Sequence, residues 1–348
     1  MSQANLTAVD LFCGAGGLTL GLKQAGFNVI AGVELNPVAA ETYRLNHADI
    51  NIYEKDIRHI NPADVLEDAN LKPGELDLLA GCPPCQGFSS QRTRNKTNAQ
   101  FDPRNDLIFE FFRFVKTMLP KTIMLENVPA LAKNWRILKL KKDLEELGYV
   151  VNERSISIHD AADYGVPQRR RRLLFKASRL GIISDAPKAN EITTVKEAFS
   201  SLRPAGESGD TLHDLGEERS EIVKKRISLV PKNGGSRTDL PMEYWLECHK
   251  KNPGGYRDVY GRMRWEDVAP TITGGCHNPS KGRFIHPELD RAITLREAAI
   301  LQTFPMSYQF SLTQGKDAVA LMIGNALPPK FIEIHAREYA DHLKEERQ

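Results

Sequence analysis

A thiol, a carboxyl group and a cluster of guanidinium groups follow one another along this chain in an order that suits covalent chemistry on a polar ring. The thiol is Cys85, in the loop Gly81-Cys82-Pro83-Pro84-Cys85-Gln86-Gly87-Phe88-Ser89, where two prolines stiffen the backbone just beyond the apolar run at 76–80. The carboxyl group is Glu126, which ends the apolar run Thr122-Ile123-Met124-Leu125. The guanidinium groups are the four arginines at 169–172, behind Pro167-Gln168 and ahead of Leu173-Leu174-Phe175. A free thiol titrates near pH 8.5, so a nucleophile useful at neutral pH needs positive charge beside it. Alternation along an extended run puts Arg170 and Arg172 on one face. Cys82 and Cys85 also form a Cys-x-x-Cys pair, which raises metal and redox readings. Structural zinc needs two more tightly spaced ligands, and Cys13, Cys248 and Cys276 are isolated. No aromatic-flanked redox motif surrounds the pair. Cys82 is read as a packing thiol and Cys85 as the reactive one.

Upstream lies Asp10-Leu11-Phe12-Cys13-Gly14-Ala15-Gly16-Gly17, a short apolar run passing into clustered glycines and then a helical pattern. Such a loop lets backbone N–H groups approach a ligand at a helix N-terminus. Glu34, some twenty residues on, stands where a carboxylate accepts from a ribose diol. Asp56-Ile57 could supply an acceptor for an adenine amino group and an apolar wall. These residues imply a nucleoside-containing cofactor and leave nicotinamide dinucleotide and S-adenosylmethionine both open.

The elements that must position these groups alternate between strand and helix. Residues 8–12, 29–35, 76–80 and 122–125 read as buried strands, and 18–25, 37–46, 107–119 and 135–147 as helices, with proline at the first turn of 37–46 and Gly26 as a helix-ending glycine. Interleaving of this kind implies a parallel sheet covered on both faces. From about Ser178 the texture changes to turn-rich, loop-dominated segments such as Asn233-Gly234-Gly235 and Asn252-Pro253-Gly254-Gly255. Order returns with helical patterns at 317–323 and 330–346. The expected division is therefore 1–178 with 317–348 as one domain and 179–316 as a smaller one.

At 348 residues, 41% hydrophobic and 26% charged, the chain has ample material for a core, and a net charge of only +2 gives no global basic excess. Basic groups that meet a polyanion must be concentrated locally. Five scattered cysteines do not form a disulfide framework, which suits a reducing cytoplasm. The start of the chain lacks the pattern of a signal peptide, and no apolar run approaches the roughly 20 residues needed to cross a bilayer. A soluble cytoplasmic protein is expected.

The motifs, taken together, resemble the DNA cytosine-5 methyltransferases of the bacterial restriction–modification type. The matching segments are 10–22, 81–89, 126–128, 168–172, 291–305 (with Arg296-Glu297 and Leu301-Gln302) and Gly324-Asn325-Ala326-Leu327-Pro328-Pro329. They keep the family's order and run from near the start of the chain to near its end. Only about 178–284 lacks a close counterpart, apart from Pro270-Thr271-Ile272. The resemblance implies an α/β fold: a Rossmann-like, mostly parallel methyltransferase sheet with helices on both faces, plus a smaller, loop-rich target-recognition domain. It implies S-adenosylmethionine as cofactor and a specific double-stranded DNA sequence as substrate. By resemblance Cys85 is the nucleophile, Glu126 the acid that engages the ring nitrogen and exocyclic amine of cytosine, and Arg170 a holder of the base with Arg172 beside it. Phe12, Gly14, Gly16, Gly17, Glu34, Leu35, Asp56, Ile57, Pro84, Leu107 and Asn325 match positions that contact the cofactor. Expected DNA contacts are Ser89, Arg257, Arg262, Arg264, Thr271, Lys281 and Arg283, the basic ones interleaved with Tyr256, Tyr260 and Trp265.

The chemistry of cytosine agrees. Its carbon-5 is too weak a nucleophile to take a methyl group directly. Thiolate addition at carbon-6, with a carboxyl group managing charge on the ring nitrogen, makes carbon-5 enamine-like and able to take the methyl group from a sulfonium donor, which leaves as the thioether; loss of the carbon-5 proton and expulsion of the thiol then restore the ring. A stacked base cannot reach a thiol in a cleft, so it is flipped out, at a cost of a few kcal/mol that contacts from the second domain offset. The implied role is to protect host DNA from a restriction endonuclease acting on the same sequence, by a monomer, with no metal and no membrane. A nicotinamide-dependent dehydrogenase would share the glycine loop but leaves Cys85, Glu126 and the arginines unexplained. The remaining alternatives are a transfer-RNA methylating relative, which lacks so long a variable region, and a catalytically silent DNA-binding module.

Overall fold

A computed structural model describes residues 6–84, 103–255 and 257–346. Cys85, Ser89 and Tyr256 lie outside the described residues. The chain forms two compact units: Met1–Tyr164, Arg171–Lys188 and Leu327–Gln348 make the first, and Gly165–Arg170 with Ala189–Ala326 the second.

The first unit is built on a seven-stranded sheet of β1 (Leu6–Leu11), β2 (Phe27–Glu34), β3 (Asn51–Glu54), β4 (Leu78–Gly81), β5 (Thr122–Asn127), β6 (Ile156–Asp160) and β7 (Arg171–Ser178), in the order β3-β2-β1-β4-β5-β7-β6. β1 to β5 run parallel, and β7 is antiparallel to both β5 and β6. Every residue of β4 and β5 is buried, the pattern of strands covered on both faces. The chain steps outward from β1 through β2 to β3, then returns to place β4 on the other side of β1. That reversal falls between β1 and β4, and it is at the C-terminal strand ends beside such a reversal that open α/β sheets take their ligands.

Helices α1 (Gly17–Gln24), α2 (Pro37–Asn46), α3 (Pro62–Asp68), α4 (Leu107–Met118) and α5 (Trp135–Glu146) connect the strands, and the helix Pro329–Glu345 packs on α1. Proline at the first position and the Asn36 side chain, which accepts from the N–H groups of Val38 and Ala39, start α2. α4 buries Ile108, Phe111, Phe114, Val115 and Met118, the spacing of a single helical face. They join Leu79, Ile123, Leu125 and Phe175 in the core.

The second unit holds short helices and turns: Val195–Phe199, Thr211–Asp214, Glu221–Leu229, Glu247–Lys251, Leu295–Leu301 and Gly315–Asn325. Its backbone pairs at the isolated bridges Gln168↔Ala269, Arg262↔Ile285 and Ile285↔Ala292. A small core forms from Ile227, Val230, Leu240, Tyr260 and Ile285.

The divisions between units lie at other places than 178/179 and 316/317, and side chains explain why. Arg179 donates to the carbonyls of Pro120 and Leu119, and Lys188 pairs with Asp163 at 2.9 Å, which keeps 179–188 on the sheet unit. The helix Gly315–Asn325 packs on Leu295–Leu301, and Gln302 donates to the carbonyls of Ile323 and Ala326. Among the described residues no helix is long and apolar enough to cross a membrane.

Candidate active site

The loop after β1 turns through left-handed backbone at Phe12 (φ 63°), Gly14 (φ 54°) and Gly16 (φ 90°), the last capping α1. Glycine at two of these positions lets the chain coil tightly without Cβ strain. Glu34, at the end of β2, fastens the coil: its Oε2 accepts from Gly14 N at 2.9 Å and its Oε1 from Asn36 N at 2.7 Å. Burial raises the Glu34 carboxyl, and these backbone donors act against the shift. Leu35 beside it is exposed. Asp56 follows β3 and accepts from Arg58 through both carboxylate oxygens; these Arg58 hydrogen bonds bring its carboxyl down to about 2. Ile57 is buried. Pro84 follows β4, and Leu107 opens α4 half-buried. All of these residues except Leu107 end or follow one of the four adjacent parallel strands.

Beneath the loop, fully buried Asp10 accepts from Thr19 Oγ1 at 2.7 Å, and Thr19 Oγ1 lies 3.0 Å from the Tyr43 hydroxyl. Burial drives the Asp10 carboxyl up to about 7. This network clamps β1 to α1 and α2. Asp10 and Thr19 are nine residues apart, so the pairing is local and leaves its trace within the motif itself.

The next strands lead to Cys82 and carry Glu126. The parallel register of β4 on β5 pairs Gly81 with Leu125, so Cys82 follows beside Glu126. Cys82 N donates to Leu11 O at 3.2 Å, and Asn127 Nδ2 donates to Pro83 O at 2.9 Å, which fixes the start of the Cys85 loop to both neighbouring strands. Glu126 is buried, and Arg172 Nε meets its Oε1 at 2.8 Å. Cys82 carries the thiol that comes level with Glu126 in this register. Burial first, then the charges of Glu126 and Asp10, push that thiol well above its ordinary range.

The family model of the C-5 cytosine-specific DNA methylases matches residues 6–340. The chain belongs to the C-5 cytosine-specific DNA methylases. It is 37% identical over 350 residues to the Type II methylase M.HgiDII of Herpetosiphon aurantiacus, covering 97% of this chain and 95% of that one. It is 32% identical to the Type II methyltransferase M1.BsuMI of Bacillus subtilis (strain 168), across 95% of this chain and 79% of the relative. A prophage-encoded E. coli protein described as a DNA modification methyltransferase superposes with a TM-score of 0.74 at 26% identity, covering 98% of this chain and 100% of its own. The enzyme is a DNA cytosine-5 methyltransferase of the bacterial restriction–modification type, on a Rossmann-like sheet.

Within this methylase the four arginines divide. Burial alternates along the run, with Arg169 and Arg171 exposed, Arg170 buried and Arg172 half-buried. Arg172 reaches Glu126 in the sheet unit. Arg170 belongs to the second unit, where its Nη1 donates to Ile272 O at 2.9 Å and its Nη2 to Gly324 O at 2.8 Å. Gln168 continues that frame, accepting from Ile272 N at 2.8 Å and donating to Gln302 Oε1 at 2.8 Å. Asn325, next to Gly324, is exposed at the end of its helix.

The basic residues of the second unit also separate. Arg262 is fully buried, and all three of its nitrogens are engaged: with the carbonyls of Val230, His286, Leu289 and Ile227, and with Asp290. It holds the methylase's small core together and has no donor nitrogen left over for DNA. Arg283 is half-buried and donates to the carbonyls of Gly234, Gly235 and Arg262. Arg257, Arg264, Thr271 and Lys281 are exposed, with the Thr271 hydroxyl donating to Arg169 O. Arg264 and Arg283 line a cavity of about 270 Å³ with Met263, Asp267, Val268 and Pro270.

Proposed function

We propose that this enzyme methylates carbon-5 of one cytosine within a short double-stranded DNA sequence, with S-adenosylmethionine as methyl donor, after flipping the base out of the duplex. The observation that carries the reading is buried Glu126, held by Arg172 on the strand next to the one that leads into the Cys85 loop. In this reading Cys85 adds to carbon-6 of the flipped cytosine and is later expelled. Glu126 holds or gives a proton at the ring nitrogen and accepts from the exocyclic amine. Arg172 keeps its carboxyl group in place, and Arg170 acts at one remove, by fixing the main chain at Ile272 and Gly324.

The strand ends fit the cofactor. Gly14 and Gly16 in left-handed conformations keep the loop free of bulky side chains, and the Glu34 carboxylate has lone pairs beyond those given to Gly14 and Asn36. Asp56 is held as an anion that can accept from an amino group. Phe12, Gly17, Leu35, Ile57, Pro84, Leu107 and Asn325 complete the proposed cofactor set. When bound, S-adenosylmethionine supplies an electrophilic methyl group on a sulfonium. The second unit is the proposed target-recognition domain, with Arg257, Arg264, Lys281, Arg283 and Thr271 toward DNA and Ser89 contributing from the Cys85 loop. Arg262 is left out because it is spent inside the fold. The biological setting is the cytoplasm, where a monomer protects host DNA from an endonuclease that cuts the same sequence.

Bisulfite sequencing of DNA from cells expressing the chain tests this, because it reports base, position and context together. A fixed short sequence with one converted-resistant cytosine is expected, and Cys85→Ser abolishes it while cofactor binding persists. Full methylation by Cys85→Ser would overturn the mechanism.

A further inference from the structure

Cys82 is part of a cluster that the proposed reaction leaves unused. Its main chain is fixed on two sides, by the bond from Cys82 N to Leu11 O and by the bond from Asn127 Nδ2 to Pro83 O. Its place one residue beyond the Gly81–Leu125 pair puts it level with Glu126. The buried carboxyl group therefore has a guanidinium at 2.8 Å and a thiol-bearing residue level with it at the end of the neighbouring strand.

We propose that Cys82 is a positioning residue of methyl transfer, whose S–H donates to Glu126 and, with Arg172, restricts how that carboxyl group faces the cytosine ring. The inference rests on the role given to Glu126 above. A carboxylate offers about four lone-pair directions. A donor from Cys82 beside the one from Arg172 narrows how the carboxyl group can turn. The arrangement also separates the two thiols of the Cys-x-x-Cys pair. Beside Glu126 and Asp10, Cys82 is kept as the neutral thiol and does not compete as a nucleophile.

A donor to the ionised form of a carboxyl group lowers its pKa, so losing the donor raises it. The test is single-turnover methyl transfer to duplex DNA as a function of pH, for the parent, Cys82→Ala, Cys82→Val and Cys82→Ser. In the Ala and Val variants the rate at neutral pH is expected to fall about two- to tenfold, the worth of one hydrogen bond. Their pH profile should move to higher pH by roughly 0.5–1 unit. Ser keeps a donor and should restore the parent profile. Val preserves side-chain bulk, so the comparison stands even where Ala folds poorly, and melting temperatures identify a variant that is merely unstable. A parent-like profile in Ala and Val, whether or not melting falls, would overturn the proposal, as would Ser behaving like Ala. Survival of activity in Cys85→Ser would instead overturn the reaction assignment, so the two failures are distinguishable.

Discussion

Arg172 Nε lies 2.8 Å from Oε1 of Glu126, a pairing made across two antiparallel strands with the carboxyl group buried. A charge in that position needs its partner, because removing one member of a buried pair leaves the other unpaired at about 3–5 kcal/mol. Arg172→Met is expected to lower the rate of methyl transfer by at least about 100-fold with a much smaller effect on DNA binding. Arg172→Lys should recover part of this, since the charge returns without the planar fork. Steady-state kinetics with separate DNA titrations check it; a rate within a few-fold of the parent for Arg172→Met would remove Arg172 from the site.

Arg262 and Arg264 are two residues apart and call for opposite outcomes. Arg262 binds four carbonyls and Asp290 inside the second unit, whereas Arg264 is exposed along the cavity it shares with Arg283. Arg262→Met should lower the melting temperature markedly, the mark of a lost buried network. Arg264→Gln should leave melting unchanged, weaken DNA binding and reduce the salt dependence of binding by about one ion. A reversal of the two results would exchange their roles.

These arginines show where reading the sequence stops. The strands β1, β2, β4 and β5 were legible because each is a short, nearly continuous apolar run, and α2 because Pro37 marks its first turn. The residues gathered at the strand ends were legible because parallel strands bring their C-terminal ends to one edge. Arg262 looks like any basic residue in a turn-rich stretch, and only the fold reveals that five acceptors surround it. Cys82 acquires its meaning from the register of β4 on β5, a non-local fact. The limits of the two units follow contacts between residues far apart in sequence, such as Arg179 with the carbonyls of Pro120 and Leu119, which leave no trace in composition.

His335 gives the first unit a predictable sensitivity to acid. It packs against Phe331, Tyr164 and His159, and burial pulls its pKa down to about 3. The unfolded chain takes up a proton near pH 6.5 that the folded chain refuses until far lower pH. The stability this residue contributes is therefore complete above pH 6.5 and is lost as pH falls toward 3, at up to about 1.4 kcal/mol per pH unit. His335→Phe removes the term. Between pH 6.5 and 4 the parent should lose melting temperature faster than this variant, while a constant difference between them across that range would show that His335 is not held neutral.

Gly324 sits within the helix Gly315–Asn325, where replacing glycine by alanine ordinarily stabilises by about 1 kcal/mol. The expected sign here is the reverse. A Cβ on Gly324 would overlap the main chain of Thr273 and Gly274, and backbone cannot swing aside as a side-chain tip can. The same glycine offers its carbonyl to Arg170, which also holds Ile272 O one residue before Thr273, so the strain falls on a single cluster. Gly324→Ala should lower stability by roughly 1–3 kcal/mol, the range for overpacking a tight contact. Methyl transfer should fall with it, because Arg170 loses its fixed partners. Chemical denaturation of the purified enzyme, followed in parallel with activity, measures both; a Gly324→Ala enzyme as stable as the parent would mean that the helix and the 272–274 segment can part without cost, and that Arg170 does not depend on their contact.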